Sequence, residues 1–354
     1  MTKIFKIDPS NLENSENDIK YAADVIKRGG LVAFPTETVY GLGGDATNPD
    51  AAEKIFAAKG RPSDNPLIIH VANPDEAENY AITTPLYYKL AEHFMPGPLT
   101  VILEAKDTVP LATRGGLSTV AVRCPINPIA NKLIELSGVP IAAPSANLSG
   151  SPSPTNAQHA IDDLYDKIEV IIDGGSSDFG VESTIVKLED DSTMTLLRPG
   201  SITIDELRCI ADVKLANAVV ASLAEGEIAL SPGMKYRHYA PKSTLVLLDG
   251  ELDDAIKFIS EDALNDIAII TYSDDKDSFS KSCPNAKLLV LGEKNNSKEQ
   301  AKHLFSVLRE ADKHWYDKIY APLPDKNGVG LALYNRLIRA AAHQIIDLRQ
   351  GKDG

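Results

Sequence analysis

The stretch Lys59-Gly60-Arg61-Pro62-Ser-Asp-Asn65-Pro66 sets two cations two residues apart, beside a glycine and an amide. Pro62 favours an extended conformation at Arg61, and in an extended segment residues i and i+2 share a face. Lys59 and Arg61 would then point the same way, with a repulsion that an anion between them relieves. Gly60 would let the backbone approach that anion closely. The plainer alternative is a solvated basic loop. A second stretch, Ala142-Ala143-Pro144-Ser145-Ala146-Asn147, runs on to Ser153. It offers a hydroxyl and an amide, Ser145 and Asn147, on one side just beyond an apolar run. Four more polar positions adjoin apolar strands: Thr36-Glu37-Thr38 after Leu31–Phe34, Arg123 ending Thr119–Arg123, Glu182-Ser183-Thr184, and Arg198. Each alone could be a cap or a surface group. Six polar loops at strand ends are what an open α/β sheet uses to gather a ligand. Cations, hydroxyls and amides suit holding and orienting a polyanion more than forming a covalent intermediate.

Other chemistries lack their residues. The chain has no G-x-x-x-x-G-K-[ST] loop, no G-x-S-x-G elbow, no His-Glu-x-x-His and no Cys/His cluster at ligand spacing. Gly41-Leu-Gly43-Gly-Asp-Ala46 fits the dinucleotide pattern G-x-G-x-x-A. However, Asn48-Pro49-Asp50 interrupts any helix opening within it, and Lys59-Gly60-Arg61 stands where an acid is needed. The alternative for these glycines is a tight turn.

The elements that must position these groups alternate along the chain. Helices are expected at Ile19–Lys27, from an Asp50 cap to Ala58, and at Asn127–Leu136, Thr155–Leu164 and Ile204–Ile210. Strands are expected at Leu31–Phe34, Leu67–Val71, Leu99–Leu103, Thr119–Arg123, Val139–Ala143, Val170–Ile172, Ser183–Leu188 and Thr195–Leu197. Residues Val213 to Pro241 keep no sustained period, as a linker or functional loop would. The pattern then returns with strands at Leu245–Leu248, Ile267–Thr271, Leu288–Leu291 and Ile319–Ala321. Helices fall at Asp253–Ile259, Lys298–His314 and Leu331–Ala342. This alternation implies α/β architecture, with helices on open sheets.

The 354 residues suit two domains. A net charge of −14 argues against a surface that holds nucleic acid as a whole, with one basic pocket still compatible with it. No apolar run is long enough to span a membrane. The scattered Cys124, Cys209 and Cys283 argue against a disulfide framework and favour a reducing, cytoplasmic setting.

Several of these segments together resemble the YrdC-type threonylcarbamoyl-AMP synthases, in their long two-domain form. They are Phe34-Pro-Thr-Glu-Thr-Val-Tyr-Gly-Leu-Gly43, Lys59-Gly-Arg-Pro-x-x-Asn-Pro-Leu67, Pro96-Gly-Pro-Leu-Thr100 and Val120-Ala-Val-Arg-Cys-Pro125. Ala143-Pro-Ser-Ala-Asn147, Gly180-Val-Glu-Ser-Thr-Ile185, Leu197-Arg-Pro-Gly200 and Ser231-Pro-Gly-Met-Lys-Tyr-Arg-His-Tyr-Ala-Pro241 complete the set. The resemblance implies a YrdC-like twisted mixed sheet with flanking helices at 1–212, a linker or lid at 213–243, and a smaller Rossmann-like α/β domain at 244–354. It also implies a reaction in which ATP, L-threonine and bicarbonate or CO2 give threonylcarbamoyl-AMP and pyrophosphate. The product would pass to a tRNA threonylcarbamoyltransferase, with direct tRNA binding by this chain not expected, and Mg2+ would ride on the substrate phosphates. Carried over residue by residue, the family pattern assigns Lys59 and Arg61 to catalysis. With Asn65, Thr119, Ser145, Asn147, Ser153, Arg198 and Tyr236 they would also bind ATP. Thr36 or Thr38, His70, Arg123, Ala143 and Ser183 would bind threonine. Segment 231–241 would close over the site, with Tyr236 reaching the nucleotide or the carbamoyl group. An RNA-binding module, a carbamoyltransferase and the dinucleotide reading are the alternatives.

Overall fold

In chain order the first part forms β1 (Lys3–Lys6), α1 (Glu16–Lys27), β2 (Val32–Phe34), β3 (Gly41–Asp45), α2 (Pro49–Lys59), β4 (Ile68–His70), β5 (Ala81–Ile82) and α3 (Pro85–Phe94). It continues with β6 (Leu99–Ala105), α4 (Leu111–Arg114), β7 (Thr119–Arg123), α5 (Pro128–Ser137), β8 (Ile141–Ala142), α6 (Ala157–Leu164), β9 (Val170–Asp173), β10 (Thr184–Leu188), β11 (Thr193–Arg198), α7 (Ile204–Arg208) and β12 (Asp212–Leu215). The second part adds β13 (Leu245–Asp249), α8 (Leu252–Ser260), β14 (Ile267–Tyr272), α9 (Lys276–Ser282), β15 (Lys287–Gly292), α10 (Ser297–Ala311), β16 (Lys318–Pro322), α11 (Gly330–Ala340) and β17 (Ile345–Asp347). These come from a computed structural model that describes residues 1–220, 239–262 and 266–351. The described residues divide into two units, 1–149 with 153–220 and 150–152 with 239–351.

Local signals explain the helices of the first unit. Helix α1 turns Ile19, Ala22, Ala23 and Ile26 inward. Helix α2 is capped by Asn48, whose side chain accepts from the Asp50 amide. The cap expected at Asp50 therefore lies two residues earlier, because the fixed φ of Pro49 suits the first helical turn. Gly60, at φ +61°, ends α2 in the left-handed conformation that glycine adopts without strain.

The sheet of this unit is mixed, in the order β1-β9-β2-β3-β8-β4-β7-β6-β10-β11-β12, with β5 against β6. Helices α1 and α5 cover one part of it, burying Ile19, Ile26 and Leu133 with Phe34, Ile141 and Ile172. The Gly41–Asp45 segment is neither a phosphate loop nor a tight turn. It is strand β3, antiparallel to β2 and β8. Its glycines make room, since a Cβ at Gly43 would stand 2.6 Å from Ile141 Cγ2 and 2.7 Å from Phe34 Cε1. Strand β12 pairs in parallel with β11, so the boundary expected at residue 212 falls inside a strand.

The second unit is an all-parallel sheet in the order β15-β14-β16-β13-β17. Its core joins Val246, Leu248, Ile259, Ile269, Phe279 and Tyr320. Two elements here were not expected: α9, between two anticipated strands, and the edge strand β17. Among the described residues no helix is long and apolar enough to cross a membrane.

Gly43→Ala should therefore destabilise the protein by about 1–3 kcal/mol through overpacking. The measurement is the shift of the urea unfolding midpoint; an unchanged midpoint would show that Phe34 and Ile141 can move aside.

Candidate active site

Register decides which side chains meet. Strands β4 and β7 run parallel with His70 opposite Arg123, and antiparallel β6 sets Thr100 opposite Arg123 from the other side. Residues paired in register share a face. The row extends to Ile141 beside His70, and to Ile185 and then Arg198 beyond Thr100. Ile68, Ala121 and Ile102 form the next row, in one apolar cluster with Ile185 and Leu197. The row lies at strand ends: His70, Arg123 and Arg198 each close a strand, and Thr100 and Ile185 stand second in β6 and β10, which run against β7. Thr119 shares the face with Arg123, but lies four residues away, about 13 Å along the strand.

Arg123 is held from above by the loop after β2. Its Nη2 donates to Glu37 Oε1 at 2.6 Å, and the two side chains are 5% and 1% exposed. Glu37 Oε2 and Arg123 Nε have no hydrogen-bond partner among the described residues. Thr36 builds this loop: its hydroxyl donates to the Val39 carbonyl at 2.6 Å and accepts from the Thr38 and Val39 amides. Its oxygen lies 2.9 Å from the Thr38 hydroxyl. Thr36 is therefore committed to the turn, whereas Thr38 uses its side chain less. Tyr40 fixes the far end of the loop, donating to the Gly175 carbonyl at 2.6 Å.

Beside Arg123, Ser183 shares a 2.8 Å hydrogen bond with Thr100 and accepts from Arg198 Nη2 at 3.1 Å. Arg198 Nε also donates to the Ser183 carbonyl. His70 is buried, with Nδ1 3.3 Å from the Ile141 carbonyl. Burial, and then the neighbouring Arg123 charge, lower its pKa to about 3, so the imidazole is neutral. Burial likewise pushes the Cys124 thiol up to about 12, which removes it as a thiolate nucleophile. Ala143 is buried and its amide donates to the Ile68 carbonyl.

The second group of expected residues gathers around the Ser-x-Asn loop. Lys59 is the last residue of α2, not part of an extended segment, and is only 3% exposed. Its ammonium donates to the carbonyls of Ser145 and of Asn147, the latter at 2.6 Å. The Ser145 hydroxyl donates to Asn147 Oδ1, so the expected pairing of these side chains is present. The Arg61 guanidinium instead turns to the Asn65 and Pro66 carbonyls, at 3.3 and 3.2 Å. Lys59 thus ends a helix at Gly60, at φ +61°, instead of lying in the extended segment expected for the two cations. Asn65 is 1% exposed, and neither atom of its carboxamide has a partner among the described residues. Ser153 is buried and donates to Glu182 Oε1 at 2.6 Å. Tyr236 lies outside the described residues, as do 231–238 of the segment expected to close over the site.

Three residues had no role assigned from sequence: Glu37, Thr100 and Glu182. Their only signal is an acid or hydroxyl inside an otherwise apolar or glycine-rich motif.

Breaking a buried pair from one side leaves a charge uncompensated, at a cost of about 3–5 kcal/mol. Glu37→Ala should lose stability on that scale in denaturant titration; a loss below about 1 kcal/mol would mean that water solvates Arg123. His70 gives a pH dependence. Its folded pKa lies below the unfolded value of about 6.5, so the unfolded chain binds the extra proton. Its contribution is then fully present above that pH and declines as pH falls towards 3. The slope is up to about 1.4 kcal/mol per pH unit. His70→Gln should flatten the stability profile between pH 6.5 and 5 by that amount.

Comparison with known proteins sets this geometry in a family. Residues 24–200 match a family model described as "Telomere recombination", and residues 202–342 match "Threonylcarbamoyl-AMP synthase, C-terminal domain". The chain is 44% identical to a threonylcarbamoyl-AMP synthase of Pyrococcus abyssi over 93% of this chain and 95% of the relative. It is 40% identical to that of Bacillus subtilis, over 98% and 99%. Its structure is similar to that of P. abyssi Sua5 complexed with L-threonine, with a TM-score of 0.85 and 40% identity over 98% and 99% of the two chains. Near-complete coverage of both domains, at this identity, places the chain in the threonylcarbamoyl-AMP synthase family.

Proposed function

We propose that this protein binds ATP, L-threonine and bicarbonate or CO2 and joins them as threonylcarbamoyl-AMP, releasing pyrophosphate. The Asn65 carboxamide carries the reading. A buried polar group without a partner costs about 1–3 kcal/mol, and here it stands beside Arg61 and near the start of β4. A nucleotide supplying both a donor and an acceptor would recover that cost. The threonine complex of the P. abyssi relative supports L-threonine as the second substrate.

The chemistry is then largely positioning. Threonine's amine takes up CO2, or bicarbonate with loss of water, to give a carbamate. A carbamate oxygen attacks the α-phosphorus in line; the new O–P bond forms as the bond to the pyrophosphate oxygen breaks. Arg123, fixed by Glu37, would pair with the threonine carboxylate, and Ser183 and Thr38 would meet its other polar groups. Neutral His70 would add no second positive charge beside Arg123, leaving the amine side uncrowded. Lys59, Arg61, Ser145 and Asn147 would face the phosphates, with Ser153, Arg198, Thr119 and Tyr236 completing the nucleotide site. Holding both reactants in line lowers such barriers by up to roughly 7–11 kcal/mol.

Mg2+ would sit on phosphate oxygens and water, neutralising charge on the leaving group. Cations, hydroxyls and amides around the Ser-x-Asn loop fit a polyanion that brings its own ion rather than a protein-built cage. The acyl-adenylate would pass to a tRNA threonylcarbamoyltransferase, and unpaired cysteines suit a cytoplasmic setting.

Pyrophosphate release from ATP should require both L-threonine and bicarbonate, with L-serine clearly poorer. Lys59→Ala and Arg61→Ala should each lower kcat/KM on the order of a hundredfold; full activity in both would remove the phosphate-clamp assignment. Asn65→Leu separates stability from function. It should raise stability by about 1–3 kcal/mol, the desolvation cost removed, while nucleotide affinity falls. Unchanged ATP binding in that variant would sink the assignment of Asn65.

A further inference from the structure

Among the described residues the buried arginines are Arg114, Arg123, Arg198 and Arg336. Three of them have partners: Arg123 is paired with Glu37, Arg198 donates to Ser183, and Arg336 donates to Asn335 at 3.2 Å. Arg114, the last residue of α4, is 9% exposed and differs. Its Nε is buried without an acceptor, and its guanidinium makes no hydrogen bond or ion pair among the described residues. A guanidinium stays charged at any pH a protein tolerates, so burial leaves it in want of an anion.

The residues on either side of Arg114 show where that anion would come from. The Thr113 carbonyl accepts from the Leu67 amide at 3.0 Å. A Cβ on Gly115 would stand 2.9 Å from the Pro66 nitrogen and 3.3 Å from the Asn65 carbonyl carbon. Arg114 is therefore set between two residues that both touch 65–67. The Asn65 carboxamide is the other buried polar group here whose atoms lack partners among the described residues. Arg61 donates to the carbonyls of the same Asn65–Pro66 pair. An orphaned cation and an orphaned amide thus adjoin one short stretch of backbone.

Topology separates this place from Arg123. Strands β4 and β7 run parallel, and His70 and Arg123 close them. Asn65 and Arg114 precede the first residues of these strands, and Thr119 is the first residue of β7. The Ser-x-Asn loop leaves antiparallel β8 towards the same starting end, where the Ala143 amide donates to the Ile68 carbonyl. Lys59 holds that loop by the carbonyls of Ser145 and Asn147. With threonine at Arg123 and the reacting phosphorus between the two ends, a group at Arg114 lies on the far side of that phosphorus. The anions that ATP carries beyond its α-phosphate are the β- and γ-phosphates.

Building on the synthase reading above, we propose that Arg114 binds the β- and γ-phosphates of ATP and the pyrophosphate they become. Its planar fork donates to two phosphate oxygens at once. As the bond to the α-phosphorus breaks, the pyrophosphate oxygen takes the electron pair, and a cation already in place stabilises that charge. The nucleotide in turn supplies the counter-charge that the protein withholds from Arg114.

Calorimetric titration of the full chain tests this with pyrophosphate, ATP and AMP as probes. Arg114→Leu should weaken pyrophosphate and ATP binding at least about tenfold, the loss of one charge-assisted pair, and leave AMP affinity unchanged. In turnover it should lower kcat/KM for ATP and leave the KM for L-threonine as it was. Its urea unfolding midpoint should stay at or above that of the wild type, because the variant removes a buried charge that no described residue balances. Arg114→Gln serves as the second variant, with the same losses expected, should the first fail to show a native circular dichroism spectrum. Unchanged ATP and pyrophosphate affinities overturn the proposal, and threonine- and bicarbonate-dependent pyrophosphate release by the wild type would still uphold the synthase reading. AMP weakened by the same factor, or a lowered midpoint, overturns it as well. A wild type that binds neither ATP nor pyrophosphate overturns the synthase reading and this proposal together.

Discussion

The buried Arg123–Glu37 pair is the constraint around which the first unit is arranged. A guanidinium on a central strand, 4% exposed as a residue, cannot persist without a counter-charge. Glu37 supplies it from a loop 86 positions away in sequence. That loop must therefore fold back over β7, and every contact within it serves this end: the Thr36 turn, the Tyr40 hydroxyl on Gly175, and the Phe179 amide on the Glu37 carbonyl. Buried ion pairs add little net stability, because desolvation offsets their attraction. Their worth here lies in geometry, since Arg123 keeps donors in place on a sheet face that would otherwise close as apolar core.

The same logic runs through the neighbouring polar groups. Ser183 is fixed between Thr100 and Arg198, and Ser153 is held by Glu182. Among the described residues Lys59 donates to two backbone carbonyls, whose dipoles orient the ammonium, and donors oriented in advance act without reorganising. The acidic surface, net −14, is no obstacle to this, because charges beyond a Debye length of about 8–10 Å are largely screened.

Much of this was legible in the sequence, and each exception has its own physical reason. Apolar periodicity located most strands and helices of both units to within a few residues. The Ser145–Asn147 pairing followed from their i, i+2 spacing. Strand β3 was not legible because its three glycines carry no strand preference; packing against Phe34 and Ile141 puts them there. The extended conformation expected around Lys59 gave way to the helix that ends at Gly60. Glu37, Thr100 and Glu182 lie within the polar motifs but carry no role readable from sequence, since each acts through a partner between 29 and 86 positions distant. Family resemblance, not spacing, supplied the substrates.

What distinguishes an active-site row from a core row on this sheet is visible in one strand. Along β7 the face carries Thr119, Ala121 and Arg123 in turn, and across it run Glu104, Ile102 and Thr100. The middle pair belongs to an apolar cluster, and the pairs at either end are polar. An apolar strip between two polar ends stiffens the floor while leaving both ends able to bind charge. It also keeps that stretch of the face apolar, and the proposed carbamate chemistry gains wherever water is restrained. Replacing the strip by polar residues would keep every hydrogen-bonding group of the site and still admit the competing nucleophile. The apolar row is thus as much part of the proposed chemistry as the cations that border it.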